Sequence, residues 1–267
     1  MVWKKIPQYL LALTAPVLFE LVMIPGFLTT AQAQTKTPTQ TTGNSRLKQV
    51  TFEPRKDQPA PTITVGGGRR NDGKCSQDQQ SSAQSSTEVK PLDQLLTPLL
   101  RSPVTDPQLT VSAHPTFLVY VPRTSAKAVE LTLEDSNGKG IYQTTLNLPG
   151  TPGIVSISLP ATASALEIGK DYKWLVSMVC ESGAPEDSFV DGSVRRIQAD
   201  STLSQIERAK PLDKVALYAK NGVWFDAVAN LAALRKAQPN DPQVASAWKQ
   251  LLQGAGLDAI ANAPLRN

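Results

Sequence analysis

Leu166 to Cys180 reads LEIGKDYKWLVSMVC, and this stretch decides the fold. Leu166, Gly169 and Tyr172 stand three residues apart, the spacing with which sandwich domains turn a corner into a long strand. A tyrosine at such a corner bonds through its hydroxyl to nearby backbone. Beyond it, Tyr172, Trp174, Val176, Met178 and Cys180 alternate on one face, with Leu175 and Val179 on the other. A strand apolar on both faces belongs at the centre of a sheet, covered on both sides.

Working outward, the neighbouring segments supply partners for that strand. Phe117–Val121 and Val129, Leu131 and Leu133 read as strands, followed by the turn Asp135-Ser136-Asn137-Gly138 and a returning strand over Ile141–Leu148. The cluster Pro149-Gly150-Thr151-Pro152-Gly153 precedes a strand over Ile154–Leu159, and Phe189–Ile197 closes the set after a polar loop, Glu181–Ser188. Six or seven short strands with turn signals between them predict an immunoglobulin-like antiparallel β-sandwich over 91–199. Ahead of them, Pro91–Leu100 predicts a helical turn that plugs the sandwich.

From Asp200 the period becomes helical. Ser201–Lys210, Pro211–Lys220, Trp224–Ala237 and Pro242–Gln253 read as four helices in a region spanning 200–267. Tyr218, Gly222, Trp224, Ala227 and Pro239 fall at the spacing of one tetratricopeptide repeat. A single repeat cannot build a solenoid, so this helical hairpin either docks on the sandwich or presents Tyr218 and Trp224 to a partner. The fold class is therefore mixed and mainly β.

The amino terminus reads as an export signal over 1–33: Lys4 and Lys5, an apolar run from Ile6 to Leu28, and a small-residue site at Ala31-Gln32-Ala33. Glu20, Pro16 and Pro25 oppose the competing reading, an uncleaved membrane anchor. Residues 34–90 form a Thr-, Gln-, Pro- and Ser-rich lead whose composition predicts flexibility. The net charge of +4 is unevenly placed, with eight Lys and Arg against three Asp and Glu between Gln34 and Lys74. Phe52 is the one aromatic among them, which argues against nucleic-acid binding. Gly66-Gly67-Gly68-Arg69-Arg70 lacks the strand, helix and lysine of a phosphate loop and reads as a basic turn delivering Cys75. Two cysteines in an exported chain predict one disulfide, Cys75–Cys180, with two unpaired thiols as the alternative.

Residues for chemistry are few. His114 is the one candidate base, without a nucleophile elbow, and one His with two distant Cys cannot form a zinc site. Glu181, Glu186, Asp187 and Asp191 gather around one loop, where calcium or a glycosidase pair would be the functional reading and a solvated loop the plain one. Arg195 and Arg196 leave the last strand on opposite faces, one placed to pair with that loop and the other to meet a partner.

Taken together, GGGRRNDGKC (Gly66–Cys75), HPTFLVYVPRTSA (His114–Ala126), LPGTPGIVSISLP (Leu148–Pro160), LEIGKDYKWLVSMVC, FVDGSVRRI (Phe189–Ile197) and PLDKVALYAKNGVWFDAVANLAALRKAQPNDP followed by AWKQLL resemble the cyanobacterial domain-of-unknown-function family 928. The resemblance runs from about Arg69 to the carboxyl end. It implies an exported cyanobacterial protein of this architecture and carries over no catalytic residue. Ser193 departs from it, standing where a bulkier residue is expected. The reading is a periplasmic or secreted, non-enzymatic adaptor without catalytic residues, cofactor or metal, whose partner is an envelope protein or a glycan. Membrane contact is expected only through an uncleaved amino terminus. A carbohydrate-binding or carbohydrate-acting protein using 181–191, and a purely structural envelope component, are the alternatives.

Overall fold

The computed structural model describes residues 50–62, 69–70, 75, 78, 92–102, 104–180 and 185–266. The expected signal over 1–33, the glycines at 66–68 and Glu181 lie outside them, as do the side chains of Glu186 and Asp187. The strands are β1 (Arg69–Arg70), β2 (Thr97–Pro98), β3 (Gln108–Thr110), β4 (Thr116–Val121), β5 (Ala128–Glu134), β6 (Gly140–Asn147), β7 (Gly153–Ser158), β8 (Asp171–Val179), β9 (Pro185–Arg196) and β10 (Leu265–Arg266). Four helices follow β9: α1 (Ser201–Ile206), α2 (Pro211–Lys220), α3 (Trp224–Ala237) and α4 (Pro242–Gly254).

Two sheets form. One runs β1-β9-β8-β5-β6, with β3 alongside β9, and the other runs β10-β7-β4-β2. The stretch Leu166–Cys180 supplies β8, placed between β5 and β9 as its alternation predicts. At the corner the Glu167 N–H donates to the Tyr172 hydroxyl at 2.9 Å. Gly169, with φ +80°, makes the turn that a side chain would strain. Tyr172, Trp174, Val176 and Met178 are buried in the core, whereas Lys173 and Leu175 on the outer face are half-buried. β8 is thus covered on one face and only partly on the other. β4 comes closer to full burial, Phe117 through Val121 all lying inside.

Where alternation predicts only antiparallel pairing, two edge pairs are parallel, β3 with β9 and β10 with β7. β9 begins at Pro185, so strand replaces part of the expected polar loop. The plug is a 3-10 turn over Leu92–Gln94 that continues into β2, burying Leu95, Leu96, Leu99 and Leu100.

The helices start where chemistry allows. The Asp200 carboxylate accepts from the Leu203 amide at 2.8 Å, Pro211 opens α2, and Asp241 accepts from the amides of Gln243 and Val244 at 2.7 and 3.2 Å. α1 ends at Ile206 rather than at Lys210. The helical layer shares one hydrophobic cluster with the sheets. Phe117 joins them, its ring 5.4 Å from that of Trp174 and 5.5 Å from that of Phe225.

The largest departure from expectation is in the lead. Residues 50–62 are an extended strap laid on the body, not a flexible linker. Val50 is buried, and its amide donates to Gln250 Oε1 at 3.2 Å. Phe52 meets Trp224 edge-on at 5.3 Å, and the Glu53 amide donates to Ala219 O at 3.0 Å. Gly222, with φ +71°, caps α2 and lets the strap pass. A Cβ there would stand 2.7 Å from Arg55 Cγ and 2.9 Å from Glu53 O.

Candidate functional site

The residues marked as partner-binding are placed first. Asp171 and Arg195 face each other across β8 and β9, on the outer face of the sheet. The Arg195 Nε and Nη2 donate to the Asp171 carboxylate at 2.5 and 2.8 Å, and its Nη1 and Nη2 donate to Pro59 O and Ala60 O at 2.7 and 3.1 Å. The Thr62 amide and hydroxyl complete the carboxylate at 2.6 and 2.7 Å. Burial alone would raise the Asp171 carboxyl, but Arg195 and Thr62 outweigh it and hold it below the usual range. Arg195 is 2% exposed. It fastens the strap and is not offered to a partner.

Trp224 and Tyr218 are corrected on the same ground. Trp224 is fully buried, its Nε1 donating to Leu99 O at 2.8 Å, so it docks the helices on the plug. Tyr218 is 1% exposed and spends its hydroxyl on Glu207. Arg196 is half-buried and ties two backbone segments together, donating to Leu166 O at 2.7 Å and to Val111 O at 3.4 Å. Arg195 and Trp224 are closed off inside the fold, Arg196 is half-buried, and Tyr218 reaches a surface only as part of a groove wall.

What does open to a ligand is a groove of about 510 Å³ between α1, α2, α3 and the chain after β3. Its apolar wall includes Val111 and Leu203, and its polar lining includes Ser204, Glu207, Lys214, Tyr218, Asp226 and Asn230. Glu207 closes α1 and meets Lys214 Nζ at 2.5 Å as well as the Tyr218 hydroxyl. Lys214 and then Tyr218 hold its carboxyl below the usual range, while burial first and Glu207 second push Tyr218 far above that of a phenol.

Asp226 sits in the first turn of α3 and accepts the Val111 amide at 3.1 Å. Burial pushes its carboxyl up to about 6, against the opposing hydrogen bonds from Thr110 and Val111. A smaller adjoining cavity of about 140 Å³ brings His114 to the same wall as Asp226 and Asn230. His114 Nε2 is engaged with Ala163 O at 3.1 Å. Lys214 answers Glu207 within the groove, so Asp226, which forms no ion pair among the described residues and gains its charge near pH 6, is the group left to receive a cation or amide donors.

Of the acidic residues anticipated around 181–191, Asp191 is the one whose side chain lies among the described residues. Asp191 is buried within β9, with Lys173 Nζ 3.5 Å away, and Ser193 is buried two positions on. Among the described residues no group of three or more His, Cys, Asp and Glu is placed to hold a metal, and no helix is long and apolar enough to cross a membrane. Cys75 and Cys180 form the disulfide, with Cα atoms 5.9 Å apart and both residues buried. Asp78 braces it from one side, accepting from the Cys75 amide at 3.2 Å and the Thr124 hydroxyl at 2.6 Å.

Neither Glu207 nor Asp226 stands out in the sequence. An aspartate in a first helical turn reads as a dipole partner, and nothing local announces that Val111 will reach it from 115 residues away.

Fold and groove define a disulfide-stapled protein of two sheets, with a helical layer sharing their core. The chain belongs to the family described as Domain of Unknown Function (DUF928), whose model matches residues 65–265. The strap at 50–62 precedes the matched region. Comparison with curated proteins gives no match.

Proposed function

We propose that the protein is exported to the cell envelope and works there as a non-enzymatic adaptor, holding a cation-bearing segment of a partner protein in the groove between α1–α3 and the chain after β3. The observation that carries this reading is Asp226, a groove carboxylate with no ion pair among the described residues, standing in the same lining as Glu207, which Lys214 holds. The disulfide supports an oxidising compartment, and the basic, apolar amino terminus supports export into a periplasm or medium. The Glu167–Tyr172 corner bond supports an immunoglobulin-like sheet pair. The α2–α3 pair, closed by Asn221-Gly222, supports a repeat-like hairpin that uses its apolar face for docking and leaves the groove for recognition.

A photo-reactive residue in place of Ser204, exposed at the groove, is expected to form a discrete adduct with one envelope protein in native cells. The same residue in place of the exposed Gln143 on β6 is expected to form none. Asp226→Asn with Glu207→Gln is expected to abolish the adduct while the fold stands. Equal adducts at both positions, or turnover of a glycan or peptide that persists through purification, contradicts the proposal.

A further inference from the structure

With Gly222 and the chain around the start of β3, the strap borders a second, open cavity of about 360 Å³, which shares no residue with the groove. Its lining carries Arg55, Lys56 and Arg101 against one carboxylate, Asp106. These cations are engaged very differently. Arg55 is bidentate on Asp57 at 3.0 and 2.8 Å and lies 3.7 Å from Asp200, so its charge is answered. Lys56 and Arg101 form no ion pair among the described residues. Arg101 stands over the Phe52 ring at 5.6 Å; its Nε is buried beyond a ligand's reach, so a ligand in the cavity would meet its Nη nitrogens, which form no ion pair among the described residues. Asp106 takes the Thr105 hydroxyl at 2.9 Å.

A guanidinium left over in a cavity is matched by a planar oxyanion, which it binds through two parallel hydrogen bonds. The rest of the lining narrows the ligand. Pro54, Pro107 and Leu109 supply apolar wall, and Gln58 supplies an amide able both to donate and to accept. A bare phosphate would use the cations and leave wall and amide idle. A sugar ring bearing a carboxylate uses all three, and a cavity at the small end of ligand sites suits one ring. We infer that this cavity binds an acidic saccharide, its carboxylate held by Arg101 and Lys56, its ring against the prolines and a hydroxyl on Gln58. Phe52, Pro54, Arg55, Lys56 and Gln58 all precede residue 65, where the family match begins, so the site belongs to the strap as much as to the domain.

Calorimetric titration of the full chain with galacturonate, galactose and inorganic phosphate tests this. Galacturonate is expected to bind at one site, galactose roughly tenfold or more weakly for want of the charged hydrogen bonds, and phosphate more weakly than galacturonate. Lys56→Gln, at an exposed position, and Arg101→Gln are each expected to weaken galacturonate several-fold, and Asp226→Asn to leave it unchanged. Should Arg101→Gln fail to fold, Lys56→Gln decides alone. No binding, binding indifferent to Lys56→Gln, or phosphate as tight as galacturonate overturns the inference.

Discussion

β8 and the strap are ordered for opposite reasons. In β8 the sequence carries its own cause: alternate large apolar residues that lose water together when the strand joins β5 and β9. The strap, Val50 to Thr62, offers mainly Phe52 and Val50 to the core and is otherwise polar or Pro-rich. It is held by groups the body supplies, namely Ala219 O, the Asp171–Arg195 pair and the gap at Gly222. A segment of low hydrophobicity can thus be fixed when distant strands leave carbonyl-hungry and amide-hungry groups beneath it. Removing those groups should release the strap and leave the sheets in place.

Four variants sharpen this contrast. The largest effect is expected from Cys75→Ser with Cys180→Ser, since the bond spans 105 residues and the chain-entropy model assigns such a loop about 4–5 kcal/mol. Urea unfolding with and without the bond measures it, and the double variant should lose stability globally. Arg195→Met comes next, at roughly 3–5 kcal/mol, because Asp171 is left buried without its partner. Here the strap should come away before the sheets, seen as faster proteolysis at Arg55 and Lys56. Acid should act the same way: the folded Asp171 carboxyl lies below its unfolded value, so its contribution is present above about pH 4 and is lost as pH falls through the folded pKa.

The third effect has the opposite sign and a different place. Asp226 titrates near 6 in the folded chain, above its unfolded value, so the folded state holds the extra proton and stability declines as pH rises from about 4 to 6. That decline is on the order of 1–3 kcal/mol. Asp226→Asn should flatten it in melts taken across that range, while leaving strap proteolysis unchanged. The smallest effect, about 1–2 kcal/mol, is expected for Gly222→Ala, from the positive φ and the approach of Arg55. Limited proteolysis should show the strap loosened, with a melting temperature only slightly lowered.

The same contrast explains what was legible in the sequence. β4 to β8 and the four helices were readable because each runs for six or more residues, through alternation in β5 to β8 and a continuous apolar run in β4, with Gly138, Pro211 and Asn221-Gly222 marking boundaries. β1, β2, β3 and β10 were not, since two or three residues hold no period and their pairing is decided by the longer strand beside them. The Cys75–Cys180 bond followed from counting cysteines. Arg195 was legible as a cation at a strand end but not as the clasp of the strap, whose carbonyls at Pro59 and Ala60 lie more than a hundred residues earlier. Tyr218 and Trp224 have a recognisable spacing, yet that spacing serves packing, and the groove that Tyr218 helps to wall takes its charge from Glu207, Lys214 and Asp226.

The most direct test is hydrogen exchange at the amides of Glu53 and Thr62, which donate to Ala219 O and to the Asp171 carboxylate. Both should be protected in the wild type. In Asp171→Asn, Thr62 should lose most of its protection while the amides of β5 and β8 keep theirs. Unprotected exchange at both positions in the wild type would contradict the docked strap, and the saccharide cavity it borders would fall with it.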